Sequence, residues 1–259
     1  MKLQLKTLFV SILLAAAASN CAHAFVLNNA TTLGQGKWGV SAIYSVDTIK
    51  TYVPDSLLGP ITADLSIYAT GAVFQYGLLD NVDLMLGLGT INYSITPNLS
   101  KIWQIEGGNL LGGYLLGTSI KVSLIREGAG SPISIAYLLQ YVTLPLNFKQ
   151  EEEKLDGYDY DVYHKLIVSK NYGPFLPYIA LGIDSRLLKL GGVSSSQSTI
   201  AQVDVGYGTA VAKNLFIGVE FNWSGVWHDP VMDDLMSILS DEKTYCDAVG
   251  YSFGVEYVF

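Results

Sequence analysis

Three histidines and two cysteines are the only soft metal ligands and strong nucleophile partners in the chain, and they are scattered. His23 and Cys21 lie in the first residues; His164, His228 and Cys246 lie far apart in the rest. That inventory cannot build a zinc site, which needs three or four converging ligands. It also allows no disulfide framework once Cys21 is set aside with the export segment. Two acid–histidine pairs could orient a general base, Asp161 with His164 and His228 with Asp229. His228-Asp229-Pro230 reads better as a helix start, with Asp229 as N-cap, Pro230 in the first turn, and Met232, Leu235, Met236 and Leu239 following at helical spacing. Neither histidine has a serine two positions on, so no hydroxyl is paired with an activating base. The sequence therefore points to no catalytic residue, no cofactor and no metal.

Four other charges are better placed. Lys121, Lys165, Asp204 and Glu220 each sit about four or five residues from a short turn, in segments that alternate apolar and polar residues. If the polar face of each segment points into a barrel, the four form a belt at similar depth. Such a belt would either hold a narrow lumen shut through ion pairs or line and bias a small aqueous path. Asp184 would add to an acidic bias, and Lys37 is placed to meet Glu256 where the first segment joins the last.

Those segments are what positions the charges. Half of the residues are apolar, 15% are charged and mean hydropathy is +0.33, yet no apolar run reaches the roughly 20 residues a spanning helix needs. Ten segments show a period of two instead. They are Lys37 to Val46, Ala63 to Gly77, Val82 to Ile91, Gly113 to Ile125, Ile133 to Val142, Val162 to Val168, Leu176 to Ser185, Thr199 to Tyr207, Leu215 to Trp223, and Val249 to Phe259. The phase of the second is open: either Leu65, Ile67 and Ala69 face outward, or Tyr68, Phe74 and Tyr76 do. Short connections (LLDN, EGAGSP, KNYGPF, TAVAKN) alternate with long ones, 47–62, 92–112, 143–161, 186–198 and 224–248. Expected is a single-domain, all-β, transmembrane antiparallel up-and-down barrel over residues 25–259, with ten strands and eight or twelve as neighbouring counts. A soluble barrel would bury the apolar face and show the polar one to water. Here the outward face is apolar, and glycine, serine and charge face inward.

The two ends agree. Lys2 and Lys6, an apolar run over 7–18, and Ala22-His23-Ala24 make a secretory signal peptide over residues 1–24. At the other end, Tyr251, Phe253, Val255, Tyr257 and Phe259 alternate to a terminal aromatic. This ending resembles the C-terminal assembly signal of Gram-negative outer-membrane β-barrel proteins. The resemblance implies recognition by the outer-membrane assembly machinery and a location in that membrane. Tyr257 and Phe259, with Trp38 and Tyr207, would sit in an aromatic girdle. The chain resembles the omptin proteases in strand number but lacks their Asp-x-His spacing. It also lacks the His-x-Ser couple shared by outer-membrane lipid-modifying enzymes.

A formal charge of −8 argues against nucleic acid as a partner. About half of the 23 acids fall in two of the long connections, 149–161 and 224–248. These could hold divalent cations that bridge to lipopolysaccharide, or simply form a solvated external surface. Two functions follow from the sequence: a narrow, porin-like channel for small solutes or ions, or a structural or surface-interaction barrel with a blocked lumen acting through its acidic loops; an outer-membrane enzyme of omptin or lipid-modifying type is a distant third.

Overall fold

The computed structural model describes residues 29–53, 61–98, 110–128, 130–150, 153–190, 193–194, 198–228 and 245–259. The export segment expected over 1–24 and the helix expected after Asp229 lie outside the described residues.

The described chain is almost entirely strand: β1 (Trp38–Val53), β2 (Ile61–Leu79), β3 (Val82–Asn98), β4 (Leu110–Ile125), β5 (Ser134–Gln150), β6 (Glu153–Ser169), β7 (Phe175–Leu190), the two-residue β8 (Val193–Ser194), β9 (Ser198–Ala212), β10 (Leu215–His228) and β11 (Tyr245–Val258). Each long strand pairs antiparallel with its neighbours, β1 closes on β11, and β6 pairs with β7. The result is a closed barrel of ten staves, with β8 only a clip on the end of β7. Closure leaves no open edge through the middle of the wall, where each strand ladders on both sides.

The register fixes the barrel's shape. One lateral row runs Asp83, Lys121, Leu138, Lys165, Gly182, Gln202, Ser224, Ala248, Ile49 and Leu65, and returns to β3 at Ile95. One circuit thus climbs about twelve residues, which with ten strands gives a tilt of about 40° and a wall radius of about 10 Å. At that tilt each residue lifts the chain about 2.5 Å along the barrel axis.

Facing follows the alternation. On β1, Ser41, Ile43, Ser45, Asp47 and Ile49 are buried while Ala42 and Tyr44 are exposed. The open phase of β2 resolves with Tyr68 and Phe74 outward and Ile67, Ala69, Val73 and Gln75 inward. The strands run to 14–19 residues, beyond the roughly 9–11 needed to cross a bilayer. Their extra length lies on the long-connection side. The connection expected over 143–161 is therefore largely ladder, with β5 and β6 paired from Lys149 and Lys154 down to Ser134 and Ser169, and β3 continues to Asn98 inside the one expected over 92–112. Sequence alternation underestimates these ends because strands above the bilayer no longer need an apolar outer face.

The inward face also differs from expectation. Besides glycine, serine and charge it carries Ile43, Ile49, Ile67, Met85, Leu138 and Ile167, all buried. These were masked in the sequence because their outward neighbours are apolar too.

Before β1, the chain turns back into the barrel. Gly34 and Gly36 take φ of 90° and 78°, the left-handed region that glycine occupies without steric cost. Gly77 leaves room for the Gly34 carbonyl, which rests where a Cβ would be. From there, Gln35 N–H donates to Asp80 (3.2 Å) and Leu33 N–H to both oxygens of Asp83 (3.2 and 3.1 Å). Arg126 donates to Thr32 Oγ1 (3.1 Å), and Ala30 N–H reaches Ser169 Oγ at 3.2 Å. Ser169 ends β6, five staves from β1, so residues 30–37 cross the short-turn mouth. Seven residues span at most about 25 Å, enough for a mouth about 20 Å across.

Candidate functional site

The lumen holds the charges the alternation assigns to it, in tiers. Nearest the short turns, Asp83 accepts Gln75 Nε2–H (2.7 Å) and the two Leu33 contacts, with Lys121 Nζ at 3.8 Å. Glu256 acts on the same Lys121 charge. A cavity of about 270 Å³ lies under the leader strap, lined by Lys37, Lys121, Lys213, Glu256, Gln75 and Leu33 among others. Lys37 and Glu256 thus share a cavity, but no ion pair joins them among the described residues.

One tier higher, Lys165 Nζ donates to Asp204 Oδ2 at 2.6 Å, with both side chains 1% exposed. Gln202 Nε2–H donates to Asp204 Oδ1 at 2.5 Å, and the Tyr163 ring lies 5.8 Å from the Lys165 ammonium. Tyr178 O–H donates to Glu220 Oε2 at 2.7 Å. Above these, Asn222 Nδ2–H donates to Asp47 Oδ1 at 3.0 Å. Asp161, Asp184 and Arg186 are buried at the upper level.

Of the four charges expected in one belt, Lys165, Asp204 and Glu220 share a level and the first two are paired directly. Lys121 sits about 6 Å lower by the register and belongs to the Asp83 group. The partners missed by sequence reading are Asp47, Asp83, Tyr178, Gln202 and Asn222. Their only sequence signal is the inward phase they share with the four.

Three glycines make this network possible. Tyr178, Asp47 and Lys165 lie sideways across a neighbouring strand, and a glycine there gives each of them room. The Tyr178 ring occupies the place of a Cβ on Gly206, and Asp47 occupies that of Gly250. A Cβ on Gly182 would approach Lys165 Cγ to 2.8 Å.

The acid–histidine pair of Asp161 and His164 does not assemble. Asp161 is buried in the lumen, whereas His164, three residues on, faces outward and bonds Tyr137 O–H through Nδ1 at 2.6 Å. Asp229 lies outside the described residues.

The outer face carries the complementary pattern. Leu84, Leu86 and Leu88 on β3, Ile179, Leu181 and Ile183 on β7, and Val219, Phe221 and Trp223 on β10 are all exposed. Aromatic contacts mark the short-turn rim of this band: Trp38–Tyr76 (4.5 Å), Phe175–Tyr207 (5.7 Å) and Tyr257–Phe259 (4.9 Å). Tyr68, Tyr114 and Tyr158 mark the other, while Tyr44 and Tyr251 lie within the band. On β2, Tyr76 and Tyr68 stand eight residues apart, about 20 Å at 2.5 Å per residue, close to the height of a barrel's apolar band. Exposed apolar residues outside a buried charged interior invert a water-soluble barrel.

This is a transmembrane β-barrel.

No family model matches the sequence, and no curated protein does. Among solved structures the barrel is similar to the transport unit of the autotransporter AIDA-I from Escherichia coli (11% identity over 96% of this chain and 97% of that one, TM-score 0.49). It is also similar to an outer membrane channel from Pseudomonas putida F1 (9%, 90% and 99%, TM-score 0.49) and to the outer membrane protease OmpT from Escherichia coli (11%, 90% and 99%, TM-score 0.45). At these identities the likeness is one of architecture, and it assigns this barrel no activity.

Proposed function

We propose that this chain is an outer-membrane barrel with a closed lumen, acting through its outer face and its long-connection rim rather than by passing solutes. The buried Lys165–Asp204 pair carries this reading. Two opposite charges at 2.6 Å, each 1% exposed, sit in the middle of the barrel with Tyr163, Leu138 and Ile167 buried around them. In a wall of about 10 Å radius, side chains of that size fill the interior. The strap of residues 30–37 adds a second barrier at the short-turn mouth.

The outer-membrane location draws support from the apolar band, the aromatic rims and the sequence ending Tyr251, Phe253, Val255, Tyr257, Phe259. All but Val255 are strongly exposed. We take that ending as the segment the assembly machinery reads. We assign the barrel no catalytic chemistry, because Asp161 and His164 face opposite sides of the wall.

The narrow-channel reading retains one supporting observation. Six buried acids, Asp47, Asp83, Asp161, Asp184, Asp204 and Glu220, outnumber the buried bases Lys121, Lys165 and Arg186. A path opened through them would favour cations. Solute release from vesicles separates the two. Vesicles loaded with a small fluorophore and bearing the refolded barrel should retain it, and should still do so when residues 29–35 are deleted. Release by the intact barrel in proportion to protein would overturn the closed-lumen reading. Release only by the truncated barrel would assign closure to the strap alone.

A further inference from the structure

The lipid-facing side of β5, β6 and β7 contains a crevice of about 530 Å³, walled by Tyr141, Tyr160, Val162, His164, Ser185 and Leu187, with the buried Arg186 of β7 behind it. Tyr141 and Tyr160 stack along one wall with ring centroids 6.4 Å apart. The floor is polar: His164 lies five residues up β6 from Ser169, about 12 Å above the short-turn rim and therefore inside the hydrocarbon. Tyr160, four residues further up β6, lies about 10 Å higher, at the far girdle.

A histidine at that depth needs both ring nitrogens satisfied, because hydrocarbon offers no water. Nδ1 is bonded to Tyr137 O–H. Whichever tautomer is present, Nε2 has no partner among the described residues. Tyr137 fixes the ring's orientation, so the free nitrogen is held in place and opens on the crevice.

We propose that the crevice binds one acyl chain of an outer-leaflet lipid, and that His164 recognises a polar group within that chain, a hydroxyl or a branch ester, rather than the headgroup. The occupant follows from position. The crevice is continuous with the surface that contacts lipid, and no other solvent reaches its floor. The chain's polar group follows from depth. Headgroup and primary ester groups lie at the girdle, near Tyr160 and Leu187, well above His164. Only a chain functionalised below its head brings a hydrogen-bonding atom to Nε2. The tyrosine faces and Leu187 supply the apolar contact that holds the rest of the chain. Ser185 offers a second hydroxyl near the top of the crevice.

This inference rests on the membrane placement but not on lumen closure, so it stands or falls separately from the solute-release result. The test is native mass spectrometry of the refolded full barrel released from micelles doped with phosphatidylglycerol. One preparation carries plain palmitoyl chains and the other palmitoyl chains hydroxylated at mid-chain, about 10 Å below the ester and level with His164. Wild type should retain one hydroxypalmitoyl lipid and little of the plain one. His164→Phe, with folding checked by heat-dependent gel mobility, should lose about tenfold in occupancy, the scale of one hydrogen bond. Leu187→Trp should also lose it by filling the crevice while leaving the His164–Tyr137 couple untouched. Equal retention of the two lipids by wild type would overturn chain recognition. Unchanged retention by both variants would overturn the crevice as the site.

Discussion

Replacing Lys165 with methionine tests how dry the middle of the barrel is. Lys165 Nζ and Asp204 Oδ2 are 2.6 Å apart and both side chains are 1% exposed. At an effective dielectric of 20 the attraction at that distance is about 6 kcal/mol, most of it offset by the desolvation both groups suffer. Methionine matches the length of the lysine stem and removes only the charge. Asp204 then keeps the Gln202 amide on Oδ1 and loses the cation on Oδ2. Leaving one member of a buried pair uncompensated costs about 3–5 kcal/mol, whereas removing both together is close to neutral. Lys165→Met should therefore lower the urea midpoint of unfolding strongly, read by heat-dependent gel mobility in lipid vesicles, and Lys165→Met with Asp204→Leu should recover most of the loss. A loss under about 1 kcal/mol for Lys165→Met alone is what a solvated pair would show. That result would refute the reasoning, because it would mean water reaches Asp204 and the lumen is wet at its middle.

Gly206→Ala should cost about 1–3 kcal/mol and displace the Tyr178 ring, and Tyr178→Phe should cost a comparable amount, since it takes the hydroxyl donor from the buried Glu220 Oε2; both are read from the same urea midpoints. Asp47→Asn should be tolerated within about 1 kcal/mol, because an amide oxygen can still accept from Asn222. Asn222→Asp, which sets two buried carboxylates side by side, should destabilise by several times that, and a reversed order of the two would contradict the assigned bond. Deleting Phe259 should reduce the amount of barrel assembled in the outer membrane, measured by surface-accessible labelling, and undiminished assembly would dismiss the terminal aromatic as a signal.

Much of this architecture was legible in the sequence, because each link between pattern and fold is short-range. Alternation in Val82–Leu88 or Leu215–Trp223 states which face meets lipid, and connection lengths state which end is which. The facing of β2 was not legible, since Ile67 and Phe74 are both apolar on opposite faces and only pairing with β1 and β3 decides between them. The inward Ile43, Ile49 and Leu138 were hidden for the same reason, and with them the packed character of the lumen. The belt was legible as a set of inward charges but not as tiers, because depth depends on the lateral climb of the register around the wall. That climb separates Lys121 from Lys165 although each is four residues from its strand end. The strap was not legible at all: Leu33 and Ala30 precede the first alternating segment, and nothing local signals that their backbone donors are met by Asp83 and Ser169.

The most direct measurement of the central claim is single-channel conductance of the refolded chain in a planar bilayer, after folding has been verified by gel mobility. A lumen closed by the Lys165–Asp204 tier and the strap predicts no steps in the intact barrel. Reproducible steps whose ion selectivity changes with Glu220→Ala or Lys121→Ala would contradict closure and establish a pore filtered by the lumen charges.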